Sequence, residues 1–216
     1  NATILIVLDG NGLAADGIFI AAGGDGSSIR GLNIRGFNGS GVEIVDSDNN
    51  TIAGNFIGTN DDGTAADANN TGVTITGDSE NNTVGGTGAA DRNLISGNDL
   101  TGVFLSNGAT ENDVLGNFVG MQANGTTPLG NGVTGVFVND TANDNTIGGA
   151  TTTSRNVISG NIRGVRLNSV SGTMVLGNFI GVDRTGGNDD GNANEGVLIE
   201  DGSTNSRQTT QRRATP

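Results

Sequence analysis

Residues 49–58 read Asn-Asn-Thr-Ile-Ala-Gly-Asn-Phe-Ile-Gly, and this stretch returns twice in altered form. Residues 112–120 read Asn-Asp-Val-Leu-Gly-Asn-Phe-Val-Gly, and residues 173–181 read Thr-Met-Val-Leu-Gly-Asn-Phe-Ile-Gly. The copies lie about 62 residues apart, a spacing typical of repeat architectures. A second motif, Arg-Asn-(Leu/Val)-Ile-Ser-Gly-Asn, occupies residues 92–98 and 155–161 between them. The chain is therefore expected to stack similar units around one continuous core.

A third motif, Gly followed by a short apolar alternation, starts each unit. It begins at positions 17, 41, 72, 102, 135, 164 and 196. Each motif is short, rich in β-branched residues and bounded by Gly, Asn or Asp, which is typical of strands separated by turns. No stretch has the apolar spacing of a helix. We therefore predict an all-β fold, a right-handed parallel β-helix of about six coils with three short strands per coil and almost no helix.

The alternation within each strand predicts which side chains face the core. Val42 and Ile44 should point inward and Glu43 outward, because successive side chains of a strand lie on opposite faces. The Asn that opens the third strand recurs at a bend between strands, where stacked amides can bond one another. This predicts a structural Asn ladder formed by Asn55, Asn93, Asn117, Asn156 and Asn178.

The same periodicity sets the domain boundaries. Residues 1–202 are predicted to form a single solenoid domain, and residues 203–216 an irregular C-terminal tail or a cap over the last coil. Long loops follow three of the third strands, at 59–71, 121–134 and 182–195, and are expected to project from the rod.

Composition excludes several classes of function. The net charge is −13, and no lysine is present. Such a surface repels nucleic acid, which is bound through clustered basic residues. No apolar run approaches the roughly 18 residues of a membrane span, so membrane insertion is not expected. The absence of Cys removes disulfides and thiolate metal sites.

Together, the three motifs resemble the repeats of bacterial right-handed parallel β-helix proteins of the pectate-lyase-like superfamily. They are most similar to repeat regions of large secreted or cell-surface proteins. The resemblance covers residues 3 to about 202, and it implies the fold and an extracellular or cell-surface location. It does not imply one activity, because the superfamily includes lyases, hydrolases, adhesins and spacers.

Catalysis has little support in the residue types available. The chain has no His, Lys, Tyr, Trp or Cys, so most of the usual general bases and nucleophiles are missing. No catalytic residue is assigned, and whether the chain is an enzyme stays open, with the balance against. No cofactor is expected, with calcium as the exception. Oxygen-rich loops hinged by Gly make a candidate cation site of Asp61, Asp62, Asp183, Asp189 and Asp190.

The outward position of the first strand predicts a contact surface. In coil order it reads Phe19, Glu43, Thr74, Phe104, Phe137, Arg166 and Leu198. Exposed neighbouring aromatics mark partner surfaces. The partner contact is therefore assigned to Phe104, Phe137, Leu198 and Phe19, with a protein partner or self-association expected, carbohydrate as an alternative, and cover by the protein's own loops as a further one.

These observations favour a non-catalytic structural or interaction module, a rod-like spacer or adhesive surface of a secreted or surface-attached bacterial protein. The first alternative is a carbohydrate-active enzyme, a polysaccharide lyase or glycoside hydrolase acting on acidic polysaccharide. The second is a subunit docked in a larger surface assembly.

Overall fold

Three parallel β-sheets wind around one narrow apolar core in the computed structural model, which describes residues 6–204 and 207–209. Each sheet has seven strands, and each coil contributes one strand to each sheet. The described residues contain no helix. The predicted right-handed parallel β-helix of about six coils with three strands per coil is confirmed.

The strand bounds follow the repeat motifs. Sheet 1 is built from the third strands: β1 Ile6–Leu13, β4 Leu32–Phe37, β7 Phe56–Ile57, β10 Leu94–Ile95, β13 Phe118–Val119, β16 Val157–Ile158 and β19 Phe179–Ile180. Sheet 2 is built from the first strands: β2 Ile18–Ile20, β5 Ser40–Val45, β8 Thr71–Thr76, β11 Thr101–Leu105, β14 Thr134–Asn139, β17 Arg163–Asn168 and β20 Val197–Glu200. Sheet 3 is built from the second strands: β3 Ser28–Arg30, β6 Thr51–Ala53, β9 Thr83–Gly85, β12 Asp113–Leu115, β15 Thr146–Gly148, β18 Met174–Leu176 and β21 Arg207–Thr209.

Strand β21 lies beyond residue 202, where the solenoid was predicted to end. It pairs in parallel with β18, so the chain continues sheet 3 into the segment predicted to be an irregular tail or cap. The rest of that segment, residues 205, 206 and 210–216, lies outside the described residues.

The core follows the predicted alternation. Val42 and Ile44 are fully buried, as are their equivalents in the next coils, Val73 and Ile75. Identical positions of neighbouring coils face each other in register, so each β-branched side chain packs on a similar one about 4.8 Å away. A core this narrow needs few apolar residues, which explains how a chain with 33% hydrophobic content folds.

Amide ladders run along all three corners of the β-helix. The predicted residues Asn55, Asn93, Asn117, Asn156 and Asn178 form a continuous ladder, each Nδ2 donating to the next Oδ1 at 2.9–3.2 Å. A second ladder precedes sheet 3 and a third precedes sheet 2; they consist of Asn50, Asn82, Asn112 and Asn145, and of Asn69, Asn98, Asn131, Asn161 and Asn192. Buried amides stacked in this way satisfy one another and the turn backbone, which fixes the coil register.

The three long loops do not project from the rod as expected. Each folds back as a short hairpin, closed by the bridges Thr59–Ala66, Met121–Pro128 and Val182–Asp189. The hairpins lie over Phe56, Leu94, Phe118 and Val157 on the outer face of sheet 1, which form a second buried cluster together with Met121 of the second hairpin. Leaving these side chains in water would be unfavourable, so the loops are held as a cover.

Gly125 shows how close this cover is. Its φ is +70°, and a Cβ added there would lie 2.5 Å from the ring of Phe118. The Arg of the second motif seals the other side, because the Arg92 guanidinium lies 4.4 Å from the Phe118 ring centroid and Arg155 lies 4.0 Å from that of Phe179. A coil that carries this Arg is therefore followed by a coil that carries the Phe it covers, which explains why the sequence repeats every two coils.

Candidate functional site

The outer face of sheet 2 is the candidate functional site. Its central column, here called the Phe face, has the register predicted from the sequence: Phe19, Glu43, Thr74, Phe104, Phe137, Arg166 and Leu198. The hairpins lie over sheet 1 and not over this column, in which Phe104, Phe137 and Leu198 are half-buried and Phe19 is 57% exposed. The four predicted contact residues therefore lie in one column, but only two of them touch as aromatic neighbours.

Phe104 and Phe137 form a stacked pair because coil spacing brings equivalent side chains together. Their ring centroids are 5.2 Å apart with an interplanar angle of 28°. The Arg166 guanidinium lies 4.5 Å from the Phe137 centroid, so both faces of that ring are covered. Arg166 is oriented by Glu200, whose Oε1 accepts a hydrogen bond from Nε at 2.6 Å. The stack presents ring edges outward, a shape suited to an apolar contact rather than to a sugar ring lying flat on an aromatic face.

A pair of carboxylates lies at the other end of the Phe face. Burial raises the pKa of Glu43 to about 7, with a further contribution from the hydrogen bond and charge of Asp16. Asp16 is held by the backbone N–H of Ser40, which donates to its Oδ1 at 2.6 Å. Sequence reasoning assigned Glu43 an outward position but missed Asp16, because Asp16 lies in the connection between β1 and β2, outside the repeat motifs.

We expect Glu43→Gln to stabilise the protein at pH 8 and to have little effect at pH 4. The pKa of Glu43 is higher in the folded chain than in the unfolded chain, so its contribution to stability is full below about pH 4.5 and is lost as pH rises through about 7. Gln stays neutral and avoids that loss. Thermal unfolding at both pH values measures the difference, and an equal shift at both would contradict it. Glu111→Gln is the control for the change in net charge, because it also removes one negative charge, from an exposed glutamate at a turn.

The five aspartates predicted to bind a cation have other partners or lie apart. Asp61 accepts hydrogen bonds from Arg35 Nη1 and Asn33 Nδ2, both at 3.0 Å. Asp183 is buried and closes its own turn. Burial would raise its pKa, but hydrogen bonds from Thr185, Asn188 and Gly187 outweigh that and lower the pKa to about 2.

Asp189 and Asp190 follow in the same hairpin, and burial beside Asp183 raises the pKa of Asp190. Asp62 is exposed at the tip of the first hairpin. Over residues 6–204 and 207–209, no group of three or more acidic side chains is placed to hold a metal ion. Calcium binding therefore stays a prediction from composition alone.

Arginine side chains are engaged wherever the structure describes them. Four are paired with carboxylates: Arg30 with Asp91, Arg35 with Asp9, Asp61 and Asp67, Arg163 with Glu195, and Arg166 with Glu200. The other three lie on aromatic rings and donate to the backbone carbonyls of Gly116, Gly177 and Asn124; they are Arg92, Arg155 and Arg184, in the same order. In the four carboxylate pairs the charge of the arginine is already offset, which weakens its attraction for a polyanionic ligand.

Comparison with known proteins supports the fold and leaves the function open. No protein-family model matches the chain, and no curated protein matches it in sequence. Among solved structures, the chain is similar to a mutant of a periplasmic alginate epimerase, with 16% identity and a TM-score of 0.56. The match covers 89% of this chain and 49% of the epimerase, so this chain spans about half of that protein's length. At this identity the likeness shows a shared β-helix fold. Within the described part of the chain, no helix is both long and apolar enough to cross a membrane.

Proposed function

We propose that this chain is a non-catalytic interaction module, a β-helical rod of a secreted or surface-attached bacterial protein that binds a partner through the Phe face. The observation that carries this is the half-exposed stack of Phe104, Phe137 and Arg166 on the sheet that the hairpins do not cover. Aromatic and Arg side chains are the residues that dominate binding energy at interfaces.

The rest of the molecule supports a contact function for this face. Outer apolar side chains of sheet 1 are buried under the hairpins, whereas those of the Phe face remain accessible. Three ladders of buried amides make the coils a rigid support, so the contact surface is pre-organised and loses little conformational freedom on binding. The epimerase with the same fold is periplasmic, which is compatible with a location outside the cytoplasm.

Replacing Phe104 or Phe137 by Asp is expected to abolish this contact and leave the fold intact. An ionised carboxylate in the stack would have to be desolvated on binding, which is strongly unfavourable. The test measures retention of the labelled chain on intact bacterial cells and its mass by light scattering. Met174→Asp is the matched control, because Met174 is an apolar side chain, 36% exposed, in β18 of sheet 3. Retention and mass equal to the parent in both Phe variants would contradict the proposal.

A carbohydrate-active enzyme is the second candidate, and the pairing of Asp16 with Glu43 is the observation that favours it. A carboxyl group with a pKa of about 7 can donate a proton near neutral pH, as the general acid of a glycoside hydrolase does, and Asp16, hydrogen-bonded to Glu43, would help to keep that pKa raised. The structural neighbour modifies alginate, but the engaged arginines weigh against an acidic substrate here.

Incubation with alginate and with neutral glucans separates the two candidates. A lyase forms an unsaturated product that absorbs in the ultraviolet, a hydrolase forms reducing ends, and an epimerase changes the uronate composition seen by NMR. Any of these activities that is lost in Glu43→Gln would establish the enzyme and replace the interaction module.

A further inference from the structure

The order of side chains along the Phe face is complementary to its own reverse. Phe104 belongs to the fourth of the seven strands of sheet 2, Glu43 lies two coils before it and Arg166 two coils after it. Phe19 and Leu198 occupy the two ends. When the column is aligned with a second copy in reverse order, an acidic side chain therefore faces a basic one and each apolar end faces the other apolar end.

A twofold axis would use this order directly. The axis runs parallel to the strands, at the level of Phe104 and between the two copies. A half-turn about it places sheet 2 of one copy face to face with sheet 2 of the other, and the two rods then point in opposite directions. Glu43 of each copy then faces Arg166 of the other, Phe19 faces Leu198, Thr74 faces Phe137, and the two Phe104 rings meet at the centre. An isologous interface requires this kind of reciprocal matching, in which residue i contacts residue j and residue j contacts residue i.

A second column of sheet 2, beside the Phe face, has its acidic and basic side chains in the same order along the rod. Ser40, whose N–H is bonded to Asp16, lies in β5, and Arg163 occupies the corresponding position four coils later in β17. The same rotation brings Arg163 of one copy beside Asp16 of the other. Arg163 and Arg166 are already paired with Glu195 and Glu200, but a guanidinium has five donors and the Arg163 pair uses only Nε.

Charge explains why two copies would meet on this face and not elsewhere. A chain with net charge −13 repels another copy over most of its surface. Sheet 2 combines the apolar centre of the Phe face with Arg166 and the neighbouring Arg163 towards one end, so it can bring opposite charges together across an antiparallel contact. Complementary charges set the orientation and register of such a contact.

We propose that the partner of the Phe face is a second copy of this chain, packed antiparallel about a twofold axis at Phe104, with Glu43 of each copy against Arg166 of the other. This inference rests on the interaction function proposed above and names its partner. A different protein and a glycan are the other occupants that the test distinguishes.

Charge reversal tests the arrangement. Sedimentation velocity over roughly a hundredfold range of concentration is expected to show a dimer for the parent. Glu43→Arg places Arg against Arg and Arg166→Glu places Glu against Glu, so each variant alone should weaken the dimer at least about tenfold. Mixing the two variants should restore a heterodimer, because both contacts then join Arg to Glu. The double variant E43R/R166E should also dimerise.

Arg30→Glu is the matched control, because it reverses one arginine that is likewise paired with a carboxylate, on sheet 3. It should dimerise like the parent and should show no added association with Glu43→Arg. Thermal unfolding of each variant shows that the fold is retained.

A parent that stays monomeric throughout, or a mixture that associates no better than either variant alone, would overturn the twofold dimer. If the parent is monomeric while Phe104→Asp still loses retention on cells, the interaction module stands and its partner is another molecule. If both assays are negative, the interaction module itself fails.

Discussion

Asn117→Ala is expected to lower the free energy of unfolding by about 3–5 kcal/mol, the sum of several buried polar groups losing partners. Asn117 is fully buried in the middle of the ladder before sheet 1. Its Nδ2 donates to Val84 O at 2.9 Å and to Asn156 Oδ1 at 3.1 Å, and its Oδ1 accepts from the backbone N–H and the Nδ2 of Asn93. Alanine leaves both donors of Asn93 without this acceptor, at a position that is fully buried.

Chemical denaturation of the parent and the variant measures this loss. Asn38→Ala is the control, because Asn38 is exposed and its Nδ2 makes a single hydrogen bond, to Gly12 O at 2.8 Å. The control should cost less than about 1 kcal/mol, as surface hydrogen bonds usually do. Equal losses for the two variants would mean that the ladder does not stabilise the coils.

Phe118→Ala is expected to cost about 3–5 kcal/mol, whereas Phe104→Ala should cost about 1–2 kcal/mol. Phe118 is 3% exposed between Leu94 and Val157 and under the hairpin that contains Gly125. Its removal leaves a cavity beneath the hairpin and takes away the ring on which Arg92 lies. Phe104 loses only its stack with Phe137 and a half-buried surface.

The comparison uses one residue type on two sheets, so it isolates the effect of the cover. Hydrogen exchange gives a second measurement, since Phe118→Ala should release the amides of residues 121–134 while Phe104→Ala should not. If Phe104→Ala were the more costly change, the Phe face would be part of the stabilising core and not a surface kept for a partner.

Local pattern was sufficient to predict the solenoid because parallel stacking in register brings equivalent positions together, whatever lies between them. Val42 packs on Val73 and Phe104 on Phe137 for that reason, and both contacts follow from counting positions along the repeats. The ladder from Asn55 to Asn178 was predictable in the same way, since its members open a recognisable strand.

The other two ladders are only partly predictable by counting positions along the repeats. Asn82 and Asn112 stand directly before recognisable strands and could have been found from that position. Asn69 and Asn131 each lie 14 residues after the Asn of the first ladder in their coil, whereas Asn98 follows Asn93 by only five, and the fold of the intervening hairpin brings them into line with Asn98. The spacing within each type of coil is constant, but the two types differ by nine residues, and only the folded hairpin shows that those nine residues leave the two Asn positions aligned.

Counting along the repeats is therefore sufficient to predict the sheets, the inward and outward positions and the order of side chains along the Phe face. Tertiary structure alone decided that the hairpins cover sheet 1 and leave sheet 2 open, and that Asp16 meets Glu43. The physical reason is that strand registry repeats with the backbone hydrogen bonds, whereas a loop takes whatever path buries the surface it meets, and that surface exists only once the coils have stacked.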